Sequence, residues 1–339
     1  MIIDQKIYCV IDIGATNFRC GLYSEGKLLN TIERKLTPNY YMFDDEERLK
    51  TEIVNMILDS FIKVSKYQDV RVSCLAICFP GQVNGNGDII GSSGIFGNSL
   101  KKVFLLKKEL QEKIDKRIHI VITNDMTASA WRYSDEYESF CLITVSSGIG
   151  NKIFSYGRVL VGENGLCGEI GHYSVDLSDL SIPCNCGWGK NHIDIISSSR
   201  GIEIVAKYFA QVNGKYRGSF LTSELAKDIS GDEKRITPEL IAQFAQKKDI
   251  FAQTVIDYCT KPLADAICLL ALAIYIEKFI IIGGFALNCK YYMDSLKNNI
   301  LRRGIYNFKK EDIENMIIYG ENDDNHALIG LGKMIDNLQ

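Results

Sequence analysis

The sequence predicts a mixed α/β fold built as two related lobes, and three observations carry that expectation. A buried strand that ends in a small-residue turn and leads into a hairpin occurs twice. It appears first at Ile7 to Ile13 with Gly14-Ala15-Thr16-Asn17, then at Phe140 to Val145 with Ser146-Ser147-Gly148-Ile149-Gly150-Asn151. Short apolar strands and helical stretches fill the rest, the mixture that layered α/β domains are made from. The third observation is size: 339 residues, 46% of them hydrophobic, hold enough apolar material for two cores.

In the first lobe, Phe18 to Tyr23 and Lys27 to Ile32 continue the opening strand as an antiparallel meander around Ser24-Glu25-Gly26. Asp44 to Lys66 sets Leu49, Ile53, Ile57, Phe61 and Val64 on one face of a covering helix. Val70 to Phe79 and Ile118 to Thr123 read as buried strands ending at Pro80-Gly81-Gln82 and Asn124-Asp125, with a helix from Met126 to Tyr133. In the second lobe, Lys152 to Phe154 and Val159 to Val161 form the hairpin around Tyr156-Gly157. Helices follow at Ser198 to Ala210, Pro238 to Gln246 and Asp249 to Tyr275, the last kinked or divided at Pro262. Phe279 to Ile282 is a short strand that meets Gly283-Gly284, and a helix begins near Leu287. Asn213 to Thr237, polar and glycine-bearing, reads as an exposed insertion.

Composition narrows the function classes. A net charge of −3 without any long Lys/Arg run lacks the electrostatic footprint of a nucleic-acid binder. The longest apolar stretch, Ala264 to Ile276, is interrupted by Asp265 and too short to cross a bilayer, and no signal-peptide layout opens the chain. A cytoplasmic protein with neither membrane nor nucleic-acid partner is expected. The eleven cysteines are expected to be reduced, because Cys9, Cys20, Cys74, Cys78 and Cys141 sit within apolar strand-like runs.

Backbone N–H groups approach phosphate oxygens closely where small residues follow a strand. Asp12-Ile13-Gly14-Ala15-Thr16-Asn17 adds a carboxylate suited to holding Mg²⁺ through water, with Thr16 and Asn17 as phosphate donors. Either turn alone is also an ordinary hairpin; their pairing carries the argument. Asp125 lies at a strand end beside a helix N-terminus, where α/β sheets meet their ligands, and two roles stay open for it: helix cap or catalytic base.

The densest cluster is Gly168-Glu169-Ile170-Gly171-His172 followed by Cys184-Asn185-Cys186 and His192-Ile193-Asp194. His172, Cys184, Cys186 and His192 supply four N/S ligands, the number that a closed tetrahedral zinc site requires. The alternative is a free thiol pair on a loop with two unrelated histidines. Zinc would pin a loop bearing Glu169 and Asp194, two acceptors suited to sugar hydroxyls.

These residues together resemble the ROK family of repressors, open reading frames and kinases, over nearly the whole chain. Asp12 to Asn17 is similar to the family's first phosphate motif, Pro80-Gly81 to its Pro-Gly turn, and Asn124-Asp125 to its catalytic pair. Ser146 to Gly150 is similar to the second phosphate motif, Ile282-Gly283-Gly284 to the adenosine motif, and Glu169 to His172 to the Glu-Ile-Gly-His signature. The resemblance implies a two-lobed actin-like ATPase fold of the ribonuclease H-like class. One domain is expected over residues 1–123 plus a C-terminal helix at about 325–339, and a larger one over 124–324.

The activity implied is ATP-dependent phosphorylation of a hexose, glucose or a relative, at the 6-hydroxyl. Asp125 would take the hydroxyl proton while Asp12, Gly14, Ala15, Thr16, Asn17, Ser147, Gly148, Gly150, Gly283 and Gly284 bind the nucleotide with Mg²⁺. Asn98, Asn124, Glu169, His172 and Asp194 would contact the sugar, and His172 would also be a zinc ligand. A homodimer is implied as well. The alternatives are kinases for an N-acetylated amino sugar, fructose or a cyclitol, a sugar-sensing regulator without catalysis, and an actin-like or chaperone-type ATPase without a sugar. Regulators of this kind carry a helix-turn-helix domain ahead of the first strand, whereas few residues precede Ile7 here.

The chain also departs from the family pattern. The family's zinc segment carries a third cysteine, which His192 replaces here in a stretch one residue longer. Asp194 stands where the family has Glu, and Ser92 to Asn98 replaces its Pro-Asn-Leu segment. All three changes fall on the acceptor side.

Overall fold

A computed structural model describes residues 6–29, 33–67, 71–97, 100–177 and 179–338, without the side chain of Tyr67. It divides into two compact units: residues 1–138, 154–167 and 323–339 form the first, and 139–153 with 168–322 form the second.

The first unit contains strands β1 (Ile7–Ile13), β2 (Asn17–Ser24), β3 (Lys27–Leu28), β4 (Glu33–Leu36), β5 (Val72–Phe79), β6 (Gln82–Val83), β7 (Ile89–Gly91) and β8 (His119–Asn124). Its main sheet runs β3-β2-β1-β5-β8, with β4 also on β2. β1 is antiparallel to β2 and parallel to β5, which is parallel to β8. Every residue of β1 is buried, and in β5 only Ser73 is exposed, as a strand covered on both faces requires. The helix Glu46–Tyr67 buries Leu49, Ile53 and Ile57 in that core, as its periodicity predicts. β4 was not anticipated: Glu33-Arg34-Lys35-Leu36 is charged because it is an edge strand, where polar side chains are tolerated.

The C-terminal helix His326–Leu338 belongs to the first unit. Its glycines set the packing distance. A Cβ on Gly330 would stand 1.7 Å from the Ala128 carbonyl oxygen, and one on Gly332 would stand 2.2 Å from the Tyr23 ring.

The second sheet runs β11-β10-β9-β12-β13, with β9 (Ser139–Val145), β10 (Ile149–Ser155), β11 (Arg158–Val159), β12 (Phe279–Ile282) and β13 (Ile317–Tyr319). β12 is parallel to both β9 and β13. Each sheet thus has a strand that ends in a glycine-bearing turn, a hairpin partner on one side and two parallel strands on the other, the repeat that the sequence suggested.

Ile250–Ile274 is one continuous helix through Pro262, so the chain is not divided there. The lost backbone hydrogen bond costs about 3 kcal/mol. That is outweighed by the burial of Ile256, Leu263 and Ile267, each worth about 1.5–3 kcal/mol. Nor is Asn213 to Thr237 an exposed insertion. It forms the short helices Arg217–Leu221 and Glu224–Asp228 and buries Phe220, Leu225, Ile229 and Ile236, four apolar residues spaced too irregularly for a periodicity reading.

Candidate functional site

In the first unit, β1 delivers Asp12 and the turn after it. Gly14 donates its amide to the Asn17 carbonyl at 2.9 Å, and Ala15, Thr16 and Asn17 are exposed. Asp12 is 4% exposed and already partnered: Arg19 Nη2 lies 2.8 Å from Oδ2, and the Cys78 thiol donates to Oδ1 at 3.1 Å. Burial pushes its carboxyl up from the ordinary value, against the opposing pull of Arg19. Both carboxylate oxygens of Asp12 thus have protein partners. The pair with Arg19 follows from hairpin register, since the two residues face each other across β1 and β2.

Asn124 ends β8 and caps the helix Asp125–Trp131, its side chain accepting from the amides of Met126 at 2.9 Å and Thr127 at 3.1 Å. The cap is thus Asn124 and not Asp125, which is the first helical residue. Asn124 Nδ2 donates to the Gly81 carbonyl at 2.7 Å and to Asp125 Oδ1 at 2.8 Å. Met126 N–H also donates to Asp125 Oδ1, at 2.8 Å. The carboxyl is half-buried and oriented by these bonds at the start of the helix. Gly81 is required for this arrangement: its φ is +103°, and a Cβ would come within 2.3 Å of the Gly91 carbonyl. Asn98 lies outside the described residues.

In the second unit, the turn between β9 and β10 is held from both sides. Ser146 N–H donates to the Gly148 carbonyl at 3.0 Å, and Ser199 N–H donates to the Ser146 carbonyl at 2.9 Å. Gly283, at φ +102°, packs on the end of β9, where a Cβ would meet the Val145 carbonyl at 2.5 Å. Ser146, Ser147, Ser199, Glu239, Gln243 and Gly284 are among the residues lining a cavity of about 480 Å³. Glu239 and Gln243, on the helix Pro238–Gln246, gave no sequence signal, because only the tertiary fold brings them beside the glycines.

Gly168 to His172 is mounted on β10. A Cβ on Gly168 would lie 2.3 Å from the Asn151 carbonyl, and one on Gly171 would lie 2.5 Å from the Ile149 carbonyl. Asn151, 1% exposed, accepts the Ile170 amide at 3.2 Å. Close backbone contact explains both glycines and leaves Glu169 and His172 exposed at the surface.

His172, Cys184, Cys186 and His192 bring one ligand atom each within 4.8 Å of one another. Cys186 Sγ lies 3.4 Å from His192 Nδ1, and Cys184 Sγ lies 3.8 Å from His172 Nδ1. Such spacings match the edges of a tetrahedron with metal bonds of about 2.0–2.3 Å, so the donor set fits a structural zinc ion. Burial pulls His192 below the usual imidazole value, helped by His172, and so favours the neutral, ligating ring. Burial pushes the Cys184 thiol up, the shift that a bound cation would reverse. Asn191, just before His192, has a φ of +52°; its side chain accepts from Ile182 N–H and donates to the Leu180 carbonyl, which shapes the approach to His192.

Asp194, expected at the sugar, has other partners here. It is 8% exposed; Oδ1 accepts the Ile149 amide at 2.6 Å, and Oδ2 pairs with Arg200 at 3.0 Å.

Comparison with known proteins agrees with this arrangement. The ROK family pattern matches residues 8–336. The chain belongs to the ROK family. It is 30% identical over 334 residues to a C(7)-cyclitol 7-kinase of Streptomyces hygroscopicus subsp. limoneus, covering 96% of this chain and 92% of that one. The ROK glucokinase of Streptomyces griseus, solved with glucose and AMPPNP, superposes with a TM-score of 0.69 at 20% identity, over 97% and 98% of the two chains. A ROK family transcriptional regulator superposes with a TM-score of 0.78 at 21% identity, over 98% of this chain and 78% of that one. The fold is the two-lobed actin-like ATPase fold of the family.

Proposed function

We propose that this chain is an ATP-dependent sugar kinase that transfers the γ-phosphoryl group to a hydroxyl of a hexose-type acceptor, at the 6-hydroxyl. The observation that carries this reading is the mounting of Glu169 and His172 on β10, the strand that issues from the second phosphate turn. Acceptor-binding groups and a phosphate cradle thereby share one rigid support, which supplies the positioning that phosphoryl transfer depends on.

In this reading Asp125 accepts the hydroxyl proton, and Asn124 and the Met126 amide hold its carboxylate in place. The exposed turn Gly14 to Asn17 and the turn Ser146 to Gly150 bind phosphates, and the cavity beside Gly284 takes the adenosine. Mg²⁺ enters with the nucleotide as part of the substrate. Glu169 and His172 bind acceptor hydroxyls, whereas Asn124, expected there as well, has both Nδ2 hydrogens and both Oδ1 lone pairs taken by Gly81, Asp125, Met126 and Thr127. Zinc held by His172, Cys184, Cys186 and His192 would supply no chemistry beyond fixing the loop and the orientation of His172.

A cyclitol acceptor is the second reading, favoured by the 30% identity to a C(7)-cyclitol 7-kinase along almost the whole of both chains. A homodimer, which the family resemblance implies, is part of the proposal. Among the described residues no helix is long and apolar enough to cross a membrane.

The test is an ADP-release assay over a panel of hexoses, N-acetylated amino sugars and cyclitols, with metal analysis of the same preparation. Strong stimulation by one acceptor class identifies the substrate. ADP release that no polyol stimulates would overturn the reading.

A further inference from the structure

We propose that Asp194 is a positioning residue that clamps the second phosphate turn, so that nucleotide affinity rather than acceptor affinity depends on it. The inference rests on the kinase reading above. Its geometry is local to the second unit. Oδ1 of this buried carboxylate accepts the Ile149 amide at 2.6 Å, a charge-assisted bond. The contact has no slack, because a Cβ on Gly148 would lie 2.9 Å from the same oxygen. On the other side of the turn, the first amide of the helix Ser199–Ala210 holds the Ser146 carbonyl. The turn is therefore gripped at both ends, by Ser199 at Ser146 and by Asp194 at Ile149.

A carboxylate beside a phosphate site would repel the ligand if left bare. Arg200, one residue after Ser199, pairs with Oδ2 at 3.0 Å and offsets that charge. The sequence supplies the means of placing Asp194. It follows His192 by two residues, at the start of the short helix Ile193–Ser197, so the loop with the Cys/His cluster leads straight into the clamp. A glutamate here would carry its carboxylate one methylene further, into the space that Gly148 and Ile149 occupy.

The experiment compares wild type with Asp194→Ala, Arg200→Ala and Gly148→Ala. It measures binding of a non-hydrolysable ATP analogue, binding of the best acceptor without nucleotide, and hydrogen exchange over residues 145–155. Asp194→Ala is expected to weaken the analogue about tenfold or more, hold acceptor affinity within about twofold, and speed exchange at Ile149. Arg200→Ala should weaken the analogue severalfold with the same selectivity. Gly148→Ala attacks the same contact from the turn side and should reproduce the Asp194→Ala pattern, which guards against a variant that merely folds badly. Acceptor affinity falling tenfold with nucleotide affinity intact would make Asp194 a sugar contact and end the proposal. Unchanged exchange at Ile149 would end it too. The exchange readout needs no turnover, so a protein that phosphorylates nothing would sink the kinase reading while the clamp is still judged by its own measurement.

Discussion

Replacing Asp125 by Asn separates chemistry from scaffold more cleanly than any other substitution in this chain. The amide oxygen of Asn can still accept from Met126 N–H and from Asn124 Nδ2, the two bonds that Oδ1 makes at 2.8 Å. What disappears is the basic carboxylate and its interaction with the helix N-terminus. The second term is worth about 0.3–1 kcal/mol, so the melting temperature should fall by only a few degrees. Loss of a general base costs roughly 10²–10⁴ in turnover. At about 1.36 kcal/mol per decade, the barrier rises by about 3–5 kcal/mol.

Asn124→Ala is the matched control. It removes the helix cap, about 1 kcal/mol, and the bond to the Gly81 carbonyl, about another 1 kcal/mol. That variant should lose more stability than Asp125→Asn while losing less turnover than it does. Calorimetry and steady-state kinetics on both proteins give the answer. An Asp125→Asn enzyme that keeps more than about a tenth of wild-type kcat would remove Asp125 as the base.

Three further outcomes are expected. Gly171→Ala, whose Cβ would stand 2.5 Å from the Ile149 carbonyl, should cost about 1–3 kcal/mol of stability and weaken acceptor binding; wild-type melting and affinity would contradict the mounting of Glu169 and His172 on β10. Purified protein should hold close to one zinc per chain. Stripping it with phenanthroline, or the substitution Cys184→Ser, should lower the melting temperature, whereas metal-free protein of full stability would refute the zinc assignment. Arg132 holds the Asp323 carboxylate down to about 2, below the ordinary 3.8, so its contribution is present above pH about 4 and fades as pH falls from there to about 2. Because the side chain is 38% exposed, that contribution stays below about 1 kcal/mol. Thermal melts of wild type and Asp323→Asn should therefore differ at pH 6 and converge near pH 2.

What the sequence shows of this molecule depends on how local the determining physics is. β1 and β5 were legible because a strand buried on both faces writes itself as an uninterrupted apolar run. The cluster of His172, Cys184, Cys186 and His192 was legible because ligand type narrows the choice, and the structure does gather them. The role of Asn124 was available from local rules, since Asn before a helix is a strong cap, but the neighbouring carboxylate drew the assignment to itself. The partners of Asp194 were not available. Ile149 is 45 residues away, and no periodicity or spacing connects a loop aspartate to the amide of a distant turn. The same holds for the buried bonds that Asn299 and Ser295 make to Thr260, between helices whose contact is purely tertiary.

The start of β10 explains why the departures from the family pattern can sit where they do. Within three residues this strand gives its Ile149 amide to Asp194 and the Asn151 side chain to the Ile170 amide, and its Ile149 and Asn151 carbonyls leave no room for a Cβ on Gly171 or Gly168. On the strand's side these contacts use backbone or the buried Asn151 amide. Beyond the mount lies the loop from Cys184 to Asn191, which ends on His192. Asn191 in that loop is left-handed, and the four ligand atoms are gathered beside it. On the proposed function, this loop borders the acceptor, while Glu169 and the turn Ser146 to Gly150 are held by β10. It follows that exchanging the segment from Cys184 to Asn191 for that of another family member should move acceptor preference at nearly constant nucleotide affinity. A swap that instead disturbs nucleotide binding alone would show that the loop acts through Asp194 and not through the acceptor pocket.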